Sequence, residues 1–106
     1  MSDVATRKLF ENERVIVWEM TLAPGESTGL HTHAHDYFFH VLSGSTLETW
    51  DADGEPLGEF EFRSGSTNYL TCAGDQLSFG ELQVPATHDA KNVGKNPYRE
   101  ILVELK

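Results

Sequence analysis

Along most of the chain, apolar and polar residues alternate with the two-residue period of β-strands. The segment RVIVWEMTL places Ile16, Trp18, Met20 and Leu22 on one face, and Val15, Val17, Glu19 and Thr21 on the other. In EFEFR the alternation turns Phe60 and Phe62 inward and Glu59, Glu61 and Arg63 outward. STLETW, TNYLTCA and YREILVELK also read as strands. YFFHVL is apolar on both faces, the pattern of a strand covered on two sides by a second sheet, a loop or a partner subunit. Turn signals separate these segments: APGES, DADGE with an Asp-Gly that suits positive φ, RSGS, AGD and VGKNP. Three-and-four apolar spacing is scarce, and Gly or Pro punctuates the chain about every ten residues. Short strands between evenly spaced turns predict an all-β sandwich or barrel.

At 106 residues the chain is expected to form a single domain spanning residues 1–106. Lys and Arg total 8 against 17 for Asp and Glu, and the resulting charge of -9 repels phosphate backbones and anionic lipid headgroups, so neither nucleic acid nor membrane is an expected partner. The opening MSDVATRKLF has no apolar core of the signal-peptide kind, and no apolar run approaches the ~18 residues that span a bilayer. The expectation is a soluble cytoplasmic protein. Cys72 is the only cysteine, which excludes an internal disulfide and a thiolate cluster and leaves it as a small packing residue.

The candidate chemistry lies in the histidines. His31 and His33 are two residues apart, so on a strand both imidazoles point to one side with Cα atoms about 6.5 Å apart, a geometry that can chelate a metal. His88 lies just past VPAT, where another strand begins, and could bring a third imidazole from a neighbouring part of the sheet. His40 is out of phase with Tyr37, Phe39 and Val41, which places it on the outer face, in a subunit contact. His35 falls in the bend before the strand and reads as a solvated residue.

The run from Gly25 through His31 and His33 to Gly44 resembles the first motif of the cupin superfamily. His88, three residues and Asn92 in HDAKN resemble the end of the second motif, and SGSTNYLTCAG its Gly-led strand. The resemblance runs from roughly residue 12 to the end, and is nearest to small single-domain bacterial cupins of the conserved-barrel type. It implies a double-stranded β-helix, the cupin jelly-roll barrel, and a divalent metal (Zn, Fe, Ni or Mn) held by His31, His33 and His88. Two departures stand out. Tyr37, preceded by Asp36, occupies the place of the motif's carboxylate ligand, so the fourth position falls to water, Tyr37 as a phenolate, Asp36 or His35. The segment DQLSFGELQVPAT is an insertion before His88. It acts either as a lid, through Phe79, Leu82 and Val84, or as an extra hairpin on the outside of the barrel. A second alignment takes Gly80 and Pro85 as the motif's glycine and proline.

Two functional readings follow. In the first, a metal-dependent enzyme of isomerase, lyase or dioxygenase type acts on a small organic acid or sugar-like molecule. Trp18, Tyr37, Phe39 and Tyr69 line its pocket, and Tyr37 is the candidate catalytic acid. In the second, the same pocket binds a small ligand or metal without turnover. Among the carboxylates, Glu19 faces outward by alternation, while Glu48, Glu81, Glu100 and Glu104 stay open as acid or base. The resemblance also implies a homodimer, paired through the outer face that carries YFFHVL with Val15, Val17, Ile101 and Val103.

Overall fold

The computed structural model describes residues 1–106 as eleven strands without an α-helix. The strands are β1 (Arg7–Glu11), β2 (Val15–Leu22), β3 (His31–Thr32), β4 (Asp36–Ser43), β5 (Ser45–Asp51), β6 (Pro56–Phe62), β7 (Thr67–Ala73), β8 (Gln76–Phe79), β9 (Leu82–Pro85), β10 (Thr87–Asn92) and β11 (Tyr98–Leu105). Two antiparallel sheets face each other, one of seven strands in the order β1-β2-β11-β4-β7-β8-β9 and one of four in the order β3-β10-β5-β6. No helix of the chain is long and apolar enough to cross a membrane.

The alternation in the sequence sets which side chains meet. β11 is paired on both sides, with Leu102 opposite Trp18 and Phe39, and Glu100 opposite Met20 and Val41. The inward residues of β2, β11, β4, β7 and β8 form the core with Leu47 of the smaller sheet, and Val41 and Leu77 have no exposed surface at all. Leu42 has no partner on β11, which makes it a β-bulge residue beside the Val41–Glu100 pair. Gly44 follows at the crossover to β5. A Cβ there would stand 2.3 Å from the Phe62 carbonyl oxygen, so the backbones approach too closely for any other residue. In DADGE, Gly54 takes φ +83°, as the Asp-Gly pair requires.

Asn92, fully buried, fastens the two sheets at one end. Its amide donates to the carbonyls of Leu22 and Asn96, and its oxygen accepts from the Ser45 hydroxyl and the Gly94 N–H. All of its hydrogen-bonding capacity is structural. β1 is a strand that the apolar pattern does not announce: RKLFE is exposed throughout and pairs with β2 at the sheet edge. It explains why Glu19, on the outer face as alternation requires, is only 8 % exposed. Arg7 and Arg99 reach its carboxylate at 2.8 and 2.6 Å and hold it below the usual carboxylate range.

Candidate metal centre and cavity

β3 is only two residues long, yet it pairs with β10 so that His31 sits directly opposite His88. His33 lies just beyond β3 and turns its ring to the same point. The ring centroids are 4.9 Å apart for His31 and His33, 4.7 Å for His31 and His88, and 5.0 Å for His33 and His88. One ring nitrogen from each lies within 4.8 Å of the others. Two nitrogens on one metal at about 2.1 Å can be no more than about 4.2 Å apart, so small ring rotations close the set.

Backbone carbonyls fix two of the tautomers. His31 Nδ1 bonds the Gly29 carbonyl at 2.8 Å and His88 Nδ1 bonds the Pro85 carbonyl at 2.9 Å, so each ring donates from Nδ1 and keeps the Nε2 lone pair. The imidazole of His33 makes no hydrogen bond, and its Nδ1 is buried without a partner. Burial holds all three rings neutral by lowering their proton affinity, His31 to about 4. Three neutral, mostly buried imidazoles, one with an orphaned nitrogen, suit a divalent transition metal of the zinc, iron, nickel or manganese group. Asp89 supports the arrangement, accepting the Gly29 N–H at 3.0 Å and the Thr28 hydroxyl at 3.2 Å beside His31.

Tyr37, at the position of the motif's carboxylate, stacks flat on His33 with centroids 4.3 Å apart and planes at 13°. Burial and the nearby Glu100 and Glu104 push its phenol up, so it holds its proton. Asp36 is engaged elsewhere, accepting the Cys72 N–H at 2.7 Å, and His35 is half-buried in the bend outside the triad. His40 is also outside the triad and bonds Thr67 at 2.8 Å.

Beside the triad is a cavity of about 100 Å3, between the smaller sheet and β4, β7, β11 and the β8–β9 hairpin. Of its 19 lining residues, 13 are hydrophobic, Tyr37 and Phe39 among them. The inserted segment forms this hairpin, and Phe79, Leu82 and Val84 line the cavity as a covering flap does. Two residues expected in the pocket wall lie elsewhere. Trp18 points inward, but its Nε1–H is bound to Glu104 at 2.6 Å and its ring lies under Lys8 near the β1 edge. Tyr69 pairs with outward-facing Phe38 and is 49 % exposed, because on β7 the inward residue is its neighbour Leu70.

One lining residue is a carboxyl that the sequence left among several. Glu100 is 4 % exposed, accepts the Tyr98 hydroxyl at 2.6 Å, and is pushed up to about 7 by burial, which outweighs the lowering from that hydrogen bond. The signal was present in YREILVEL, where strict alternation sets Tyr98, Glu100, Leu102 and Glu104 on one face.

The cupin-domain family profile matches residues 18–104. The chain is 36% identical over 81 residues to the beta-alanine degradation protein BauB of Pseudomonas aeruginosa, covering 70% of this chain and 85% of that protein. Among solved structures, a cupin domain from Bordetella pertussis covers 100% of this chain and 98% of its own, with a TM-score of 0.68 at 21% identity. A double-stranded β-helix protein from Klebsiella pneumoniae covers 92% and 72%, with a TM-score of 0.59 at 20% identity. The two facing sheets, the triad on β3 and β10 and these likenesses together show that the chain belongs to the cupin family.

Proposed function

We propose that this cupin is a metal-dependent enzyme acting on a small organic acid, with the metal held by His31, His33 and His88. The observation that carries the reading is the triad itself: three converging neutral imidazoles, two with fixed tautomers and one with a buried nitrogen that lacks any partner. An unpartnered buried polar atom costs on the order of 1–3 kcal/mol, which a metal or a metal-bound group would remove. A bound metal would supply Lewis acidity toward a carboxylate or carbonyl oxygen. The chain's own residues do the rest. Tyr37 pins His33 by stacking and, because it keeps its proton, serves as a hydrogen-bond donor at the wall. Phe39, Phe60, Phe79 and Leu82 exclude water from the reacting face. A cavity of about 150 Å3 accommodates benzene, so about 100 Å3 suits a molecule of on the order of four to six heavy atoms. The name of the Pseudomonas relative, a beta-alanine degradation protein, supports a substrate of this size and a catabolic role.

A second reading, a binding module without turnover, is favoured by one feature: the position of the motif's carboxylate ligand is held by Tyr37, which is committed to its stack on His33. Elemental analysis of protein purified without a histidine tag, beside a His31→Ala/His33→Ala variant, tests the metal. Close to one metal per chain, lost in the variant, is expected, and metal-free protein would contradict the reading. Turnover of short carboxylic acids that stops on chelation and returns on reloading selects the enzyme. Metal without turnover selects the binding module.

A further inference from the structure

Apart from the Tyr37 hydroxyl, the cavity is apolar except at two places. Six of its lining residues are polar: the three histidines, Thr28, Thr49 and Glu100. Both threonines are committed to protein, Thr28 to the Gly29 carbonyl at 2.9 Å and to Asp89, and Thr49 to the Gly58 carbonyl at 3.3 Å. That leaves the triad and the Glu100 carboxyl. Only Oε1 of Glu100 is engaged, by the Tyr98 hydroxyl, and Oε2 makes no hydrogen bond. No Lys or Arg lines the cavity to meet it. Elsewhere in the chain, buried Glu104 takes the Trp18 Nε1–H and Glu19 takes two arginines. Glu100 alone among the buried carboxylates faces open space with acceptor capacity to spare.

We infer that Glu100 receives the amino group of a small ligand whose oxygen end lies at the triad, which makes the substrate class short amino acids with the amine remote from the carboxylate. The inference rests on the metal reading for its oxygen end only. An amine is the group that matches: as an ammonium it brings the positive charge that the site lacks, and a charge-assisted hydrogen bond is about twice as strong as a neutral one. The proton that Glu100 holds near neutrality in the free cavity is consistent with a carboxyl awaiting a cation.

The two polar places are distinct. The triad lies on and beside β3 and β10 of the smaller sheet and Glu100 on β11 of the larger, and no Glu100 oxygen joins the three imidazole nitrogens that converge within 4.8 Å. An α-amino acid carries both polar groups on one carbon and offers them to a single place, whereas an amine further along the chain reaches from one place to the other. The small cavity in turn limits the ligand to a chain of a few carbons.

Calorimetric titration of zinc-loaded protein with 3-aminopropanoate, 2-aminopropanoate and propanoate tests this, since the two amino acids have the same atoms. The expected result is binding of 3-aminopropanoate about tenfold or more tighter than either of the others. In Glu100→Gln the preference is lost while the metal content is unchanged. Equal binding of the three, a preference that survives in Glu100→Gln, or metal lost from that variant would overturn the inference. The ligand series on the unaltered protein stands whether or not the variant folds. If the protein takes up no metal, the metal reading fails by itself. Propylamine against propanol then reads Glu100 alone, and no preference for the amine overturns the inference.

Discussion

Glu100 keeps a proton close to neutrality because the groups facing it are Tyr98, Tyr37 and the aliphatic wall, with Glu104 on the same strand and no cation among them. This has a consequence for stability. In the unfolded chain the carboxyl titrates near 4.5, and in the fold at about 7. Between these values the folded state holds a proton that the unfolded state has released, so stability falls as pH rises through the window, by on the order of 3 kcal/mol in all. The depressed histidines act in the opposite sense, losing stability as pH drops below their ordinary value of 6.5. Glu100→Gln removes the first effect and leaves the second. Urea unfolding of metal-free protein should show the variant gaining on the wild type, on the order of 3 kcal/mol, between pH 4.5 and 8, whereas parallel profiles would contradict the assignment. At this scale the sequence was legible where periodicity applies. It placed Glu19, Phe39 and the pairing of His31 with His33, but it could not see that Trp18 would turn to Glu104 or that the strand of Tyr69 would present Leu70 inward. Those outcomes depend on partners distant in sequence.

The strands were legible because each carries a period-two pattern between Gly, Pro or Asp-Gly turns. β1 was not, because an edge strand with five exposed residues has no buried face to mark it. Nor did the pattern show that β3 ends at Thr32, with His33 just beyond it held by its N–H to the Ala86 carbonyl at 2.9 Å and by its stack on Tyr37. YFFHVL was read as apolar on both faces, and its outward residues join a row across the larger sheet. Phe10, Val17, Val103, Phe38 and Tyr69 are register neighbours on β1, β2, β11, β4 and β7. Phe10 and Tyr69 are 53 % and 49 % exposed. An apolar row of this length on one sheet is the surface we propose for pairing of two chains. Phe38→Glu, at its centre, should give a monomer in sedimentation where the wild type gives a dimer, and an unchanged oligomer would remove this face from the interface.

The whole molecule brings together residues that the sequence keeps far apart. His31 and His88 become direct partners only because β10 pairs with β3 on one side and β5 on the other. The resemblance to cupin motifs made this convergence legible, since spacing within one strand could relate only His31 and His33. The insertion before His88 had two open readings, and its pairing decides between them: β8 and β9 extend the seven-stranded sheet from β7, and Phe79, Leu82 and Val84 line the cavity wall. The last residue of β9, Pro85, also lends the carbonyl that orients His88, so cover and ligand are one continuous piece of chain. X-ray absorption fine structure of the zinc-loaded protein reads whether a metal is held by the three imidazoles. Three imidazole nitrogens at about 2.0–2.1 Å are expected, falling to two in His88→Ala. A shell of carboxylate oxygens without imidazole scattering, or one unchanged in that variant, would contradict this.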